Sequence, residues 1–340
     1  MFESVAAGSV GGWMLLRRTF CSLTLCFAAA LVVGGCQGGP SAKGAFDRTY
    51  TVNGHLRLEL TNASGDVSIT GSSDGKVHVH GDVKASGFGF DSPQKRLDDT
   101  VSNPPVEQRG ETIRVGKDVS HLRHLSIVYT IQVPHDTEVD TSVASGAQTV
   151  RNITGPVKVQ AASGSIRVEK IDRDAEIKTA SGSVSAMDVG SDVHISTASG
   201  SVSAENIKGN VRVNAMAGVI EVRNPGGRVE AETASGSVDI QGAARDVTAQ
   251  AVSGRVSVQG NPGAESYWEL KTVSGSVHLS VPASANFHLS ADAVTGEIRT
   301  DIPIMIEEQD KHALRASMGS GGGRVQVHTV SGEIRVTGTR

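Results

Sequence analysis

Aromatic residues are scarce in this chain, at 4% of 340 residues. A compact core of this length normally draws on large rings. Thin, regular layers of Val, Ile and Ala are expected instead. Cysteine is nearly absent as well. Cys21, Cys26 and Cys36 are the three present, and none follows Cys36. A disulfide framework is therefore excluded from the body of the chain. Formal net charge is −4, with no basic run interleaved with aromatics. That combination excludes nucleic acid as a partner.

Long hydrophobic runs are also missing, apart from Phe20 to Val33 near the start. This run is too short to span a bilayer comfortably but suits the apolar core of a signal peptide. Arg17 and Arg18 precede it, and Val33-Gly34-Gly35-Cys36 closes it. Small residues before a cysteine in that position resemble the lipobox of bacterial lipoproteins. The resemblance implies cleavage before Cys36 and diacylation of its thiol, and two acyl chains anchor stably where one is marginal. Gln37 follows the cysteine where Asp would signal inner-membrane retention, so the outer membrane is the expected address. Arg17-Arg18-Thr19-Phe20 matches a twin-arginine signal only in part, and translation from Met1 or from Met14 yields the same mature chain.

What the chain has in abundance is glycine, 40 residues of it, set at a fixed interval. Gly146, Gly164, Gly182, Gly200, Gly218, Gly236 and Gly254 are each 18 residues apart. Gly275 and Gly296 follow at 21, and Gly332 at twice 18. A second turn lies nine residues after each glycine, at Gly155, Arg173, Ser191, Gly209, Gly227 and Arg245. Between turns, apolar and polar residues alternate, as in Val157-Lys158-Val159 and Ile166-Arg167-Val168. Alternation is the mark of a half-buried strand. Nine residues cannot hold a strand and a crossover helix. Stacked coils solve this, because each coil is its own crossover between parallel strands.

The expected fold is therefore all-β: a parallel β-solenoid, β-helix or β-roll-like, with two short strands per 18-residue coil. Right-handed crossovers are favoured. The outward columns read Lys158, Glu176, His194, Arg212, Glu230, Thr248 on one face and Arg167, Ser185, Ser203, Glu221, Asp239, Ser257 on the other. Asn261-Pro262-Gly263 enlarges a late coil and sets Trp268 and Leu270 inward. The expected organisation is a signal peptide over 1–35, a lipidated cysteine and tether over 36–48, and an N-terminal β region over 49–140. An irregular insertion falls at about 86–124, with Gln94 to Asp99 forming a helical turn or two. The regular solenoid covers 141–300, and 301–340 hold a second irregular insertion and the last strands. Both insertions are expected to cap sheet ends that would otherwise lie open.

The repeated Ala-Ser-Gly-Ser-Val turns, an opening Asn62-Ala63-Ser64-Gly65-Asp66-Val67-Ser68-Ile69, Val133-Pro134 before the array and a closing Thr329-Val330-Ser331-Gly332-Glu333-Ile334 resemble one bacterial β-strand-repeat family. That family is a domain of unknown function labelled "putative adhesin". The resemblance covers roughly residues 50–340 and implies a β-solenoid at the cell envelope, with no catalytic residues to carry over.

No chemistry stands out against this scaffold. His78 and His80 share a strand face, and His121 and His124 lie three apart, but no cysteine or carboxylate completes a zinc set. Asp174, Asp192, Asn210 and Asp246 form a turn column that Arg228 interrupts. Turn formation explains these residues without calcium. Ser181, Ser199 and Ser235 are repeat serines, so none is a distinct nucleophile. The outward charges alternate rather than gather as a glycan-cleaving site requires. Gly319-Ser320-Gly321-Gly322-Gly323 lacks the Lys-Ser/Thr of a phosphate loop. A hydroxyl ladder for ice is broken at Val219. The expectation is a non-enzymatic, membrane-anchored module without cofactor or metal, presenting a polar face to an envelope glycan or protein. A purely structural or stress-related periplasmic lipoprotein is the alternative.

Overall fold

The computed structural model describes residues 41–52, 54–87, 92–116 and 124–339. Cys21, Cys26, Cys36, the leader and His121 lie outside them.

Where the sequence alternates, strands form, and they stack at the repeat interval. Val157–Ser163 pairs in parallel with Thr137–Ser145 on one side and Ala175–Ser181 on the other. Lys158 thus sits between Asp140 and Glu176, 18 residues away in each direction. Ile166–Ile171 pairs in the same way with Gln148–Ile153 and Val184–Val189. All described strands join one hydrogen-bonded, mostly parallel sheet. Its inward rows are Val157 with Val159 and Ile166 with Val168, all buried, and their counterparts on each rung. This is a solenoid-like core of β-branched side chains in columns, with each rung shielding the next from water.

The corner at each repeat glycine is a bend rather than a reversal. Val211–Arg223 and Val229–Ala243 run as single strands straight through it. The glycines there carry φ of +117° to +157° from Gly65 through Gly275. A second left-handed column lies between the glycines. Asn152, Lys170, Asp188, Asn206, Asn224 and Gly242 all have φ between +51° and +80°. Short amide and carboxylate side chains tolerate this region and can bond locally. Asn206 donates to Asp188 at 3.0 Å, and Asn224 to Asn206 at 3.1 Å. Lys170 has neither advantage. Lys170→Asn is expected to raise stability by roughly 0.5–1 kcal/mol, read as a higher urea midpoint at unchanged slope.

The ends depart from stacking in chain order. At the C-terminal end, Gly323–Ser331 inserts between Tyr267–Ser274 and Phe287–Thr295. The coil of Phe287 is laid down one rung ahead, and the last coil, Gly323–Ser331 with Ile334–Thr339, returns to fill the gap. The N-terminal end repeats the device: Leu56–Ser64 lies between Thr112–Val115 and Thr137–Ser145. Both insertions are more regular than their sequences suggest. Ala313–Met318 adds antiparallel to Phe287–Thr295, and Met305–Gln309 adds to it in turn. At the other end, Lys76–Ser86 adds antiparallel to Leu125–Pro134, and Ser41–Thr51 is the outermost strand. The expected helical turn is a helix, Pro93–Ser102, capped by Ser92 and started by Pro93. It buries Leu97 and Thr100. The scarce rings gather at these ends: Phe46 meets Tyr129 edge-on at 6.3 Å.

Candidate longitudinal groove

Each rung of the first strand column ends in the same three-residue step before its serine and glycine. In one coil the step is Gln160-Ala161-Ala162. In the next it is Lys178-Thr179-Ala180, then Ser196-Thr197-Ala198. The alternation sends the first and third residues outward and the middle one inward. Thr179 and Thr197 are accordingly buried and return their hydroxyls to the carbonyls of Ser181 and Ser199. The third residue is the unusual one, because it is apolar and exposed. Ala144, Ala162, Ala180 and Ala198 are exposed, as are Ala234 and Val330. Met216, Val252 and Val273 stand out at 68%, 56% and 49% exposure.

Together these rows form an open groove of about 1230 Å³ along the solenoid, from Thr61-Asn62-Ala63 to His328 and Val330. One wall is the methyl row from Ala63 to Val330. The other is the polar row of Gln160, Lys178, Ser196, Asn214, Glu232 and Gln250. At about 4.8 Å per rung, ten rungs span roughly 43 Å. This continuous exposed apolar stripe is the candidate contact surface of the chain. The sequence carries its signal, an apolar residue before every Ser-Gly at the repeat interval. It goes unnoticed because alanine is small and the glycine beside it dominates the pattern.

The other candidate residues are accounted for by local bonding. Asp174 accepts from the backbone N–H of Asp192, Asp192 from Asn210, and Asn210 from Arg228. Asp246 accepts from Tyr267 N–H and pairs with Arg228. The Tyr267 N–H and the Arg228 guanidinium hold the Asp246 carboxyl below its usual range. This turn column ties rung to rung with carboxylates and amides. His78 faces Asp74 at 3.0 Å and His80 faces Asp47 at 2.8 Å. The hydrogen bond that His80 donates to the Asp47 carboxylate raises its imidazole pKa. Among the described residues, no three His, Cys, Asp or Glu side chains converge as metal ligands. On the outward face, Glu176 sits between Lys158 and Lys178, and Arg212 pairs with Glu230. Ser181, Ser199 and Ser235 follow the methyl row as exposed corner residues.

The Toastrack DUF4097 profile matches residues 55–337. The chain belongs to the Toastrack DUF4097 family. This is the family of unknown function that the repeated turns resemble, and the matched span takes in both out-of-order ends. No curated protein matches the chain. Among solved structures, a putative adhesin from Bacteroides fragilis is 14% identical over 87% of this chain and 98% of its own, with a TM-score of 0.35. A putative cell adhesion protein from Clostridium sporogenes is 10% identical over 88% of this chain and 100% of its own, with a TM-score of 0.23. A putative adhesin from Parabacteroides distasonis is 11% identical over 87% and 97%, with a TM-score of 0.26. These structures superpose too loosely to bear on function.

Proposed function

We propose that the chain is a non-enzymatic binding module anchored in the bacterial envelope, and that the longitudinal groove is its contact surface. In this reading the 18-residue coil, two strands to a rung, is a presenting scaffold. The observation that carries it is the unbroken exposed methyl row facing a row of amides, hydroxyls and charges. This differs from the wholly polar face that the outward columns suggest. A row of methyls lowers the desolvation cost of contact, and the polar row confers specificity. Glycan or protein of the envelope is the partner class. The lack of Phe, Tyr and Trp among the groove's described lining residues weighs against sugar stacking and favours protein.

Co-sedimentation with purified envelope fractions tests this. Ala198→Arg, at an exposed mid-groove position, is expected to reduce binding at least tenfold with an unchanged melting temperature. Equal binding by both proteins would overturn the groove as contact surface. The anchor is a separate part of the proposal. Cys36→Ala is expected to move the protein from the membrane pellet to the soluble fraction, and its retention in the pellet would remove the lipobox from the account.

A further inference from the structure

The methyl row is not uniform along its length. Its N-terminal half is alanine throughout, at Ala63, Ala144, Ala162, Ala180 and Ala198. Its C-terminal half is bulkier, with Met216, Val252, Val273, Val330 and, on the rung beyond, Val294 around a single Ala234. A row that is small at one end and large at the other fits itself when turned end for end.

We infer that the occupant of the groove is a second copy of this chain, packed antiparallel about a two-fold axis between the rungs of Ala198 and Met216. This rests on the groove being the contact surface. A two-fold contact is isologous, so each pair occurs twice. With the axis there, Met216 meets Ala198 of the second copy, and Val252 meets Ala162. Val273 then meets Ala144, Val330 meets Ala63, and Ala180 meets Ala234. Each of these bulky side chains falls on an alanine, and Val294, one rung beyond Val330, extends past Ala63 of the second copy. Moving the axis half a rung toward the C-terminus would set Met216 against Met216.

The polar row yields the same axis independently. Lys178 falls on Glu232, twice, and Gln160 falls on Gln250. Ser196 meets Asn214, and no like charges meet. Lys178 already touches Glu176 within its own chain, whereas Glu232 has no ion pair among the described residues. The second copy would supply its partner.

The contact is modest. Two rows of side chains about 10 Å wide over roughly 43 Å give on the order of 450 Å² per copy, below the roughly 800 Å² of a standard stable interface. Self-association should therefore be micromolar or weaker, and strengthened when many anchored copies meet at once. The geometry also points to how they meet. Ser41–Thr51, the strand that follows the anchor segment, is outermost at the N-terminal end. Antiparallel packing puts the two N-terminal ends at opposite ends of the pair. Their anchors then suit two facing membranes rather than one, which makes the contact homophilic and adhesive.

Charge reversal tests the pairing. The full chain is reconstituted as Lys178→Glu or Glu232→Lys in separate phosphatidylethanolamine–phosphatidylglycerol vesicles, and clustering is followed by light scattering. Both sites are exposed, so both variants should keep the native melting temperature. Within Lys178→Glu pairs, glutamate faces glutamate twice; within Glu232→Lys pairs, lysine faces lysine twice. Each variant alone is expected to cluster at least tenfold more slowly than the native chain. Mixing the two populations should restore clustering, because both contacts are then opposite in sign. The same pattern is expected from sedimentation equilibrium of the detergent-solubilised chain, which reads pairing without a membrane. A native chain that stays monomeric, or variants that pair as well alone as mixed, would overturn the inference. If the chain is monomeric but Ala198→Arg still loses envelope binding, the pairing falls and the groove stands. If that binding also survives, both fall.

Discussion

Gly200→Val is expected to lower the melting temperature by about 10 °C or more, equivalent to a loss of at least about 4 kcal/mol. Two effects add. Gly200 has φ +131°, a region that L side chains rarely adopt. A Cβ built on it would also lie 2.0 Å from the carbonyl oxygen of Gly182, one rung below. That oxygen belongs to backbone and cannot swing aside. The column repeats the contact, with Gly182 against Gly164 at 1.9 Å and Gly218 against Gly200 at 2.0 Å. The rungs therefore close on one another at a line where only hydrogen fits. Gly75 offers a comparison, since its φ is +65° but nothing lies within 4 Å of a Cβ. Gly75→Ala should cost about 1 kcal/mol, the conformational part alone. Thermal melts of the two variants separate strain from collision, and a Gly200→Val protein that melts with the native chain would contradict the stacked corner.

Trp268→Ala is the second large effect, expected at about 3–5 kcal/mol. Trp268 is fully buried and is the largest such side chain among the described residues. It occupies an inward column filled mostly by valine, between Val247 and Val325 on adjacent rungs. Its indole N–H donates to Arg245 O at 2.6 Å. Removal would leave a cavity between Val247 and Val325 and strand that carbonyl. Trp268→Phe fills most of the volume and should lose less than half as much. Urea titrations of the two variants check the order. Equal losses would mean that packing contributes little there.

Much of this fold is legible in the sequence, for a physical reason. A parallel rung repeats its neighbour's environment, so residues 18 apart face the same constraint, and interval and alternation together specify ladder and facing. The corner glycines follow from that logic. What is not legible has causes of its own. The left-handed column is obscured by Lys170, which breaks a run of Asn and Asp. The exposed methyl row is obscured by alanine, which reads equally as core or as surface. The order of rungs at the two ends is beyond local pattern altogether. Gly323–Ser331 is as compatible with a place above Phe287–Thr295 as with the place it takes below, and tertiary contacts decide. Met305–Gln309 likewise lacks alternation, being exposed throughout, and is held by the edge of Ala313–Met318 that it covers.

On the proposal that the chain acts at the cell envelope, coverage of the groove there can be read directly. The sequence has no cysteine after Cys36, so a single thiol introduced into the body reports on one place. Ala180→Cys puts it in the methyl row, and Ser185→Cys on the opposite strand column. Thiol-labelling rates are compared between envelope preparations and the dilute, detergent-solubilised chain. The expected result is at least tenfold slower labelling at position 180 in the envelope, with position 185 unchanged relative to it. Equal slowing at both positions, or none at 180, would contradict the groove as the surface through which this protein acts.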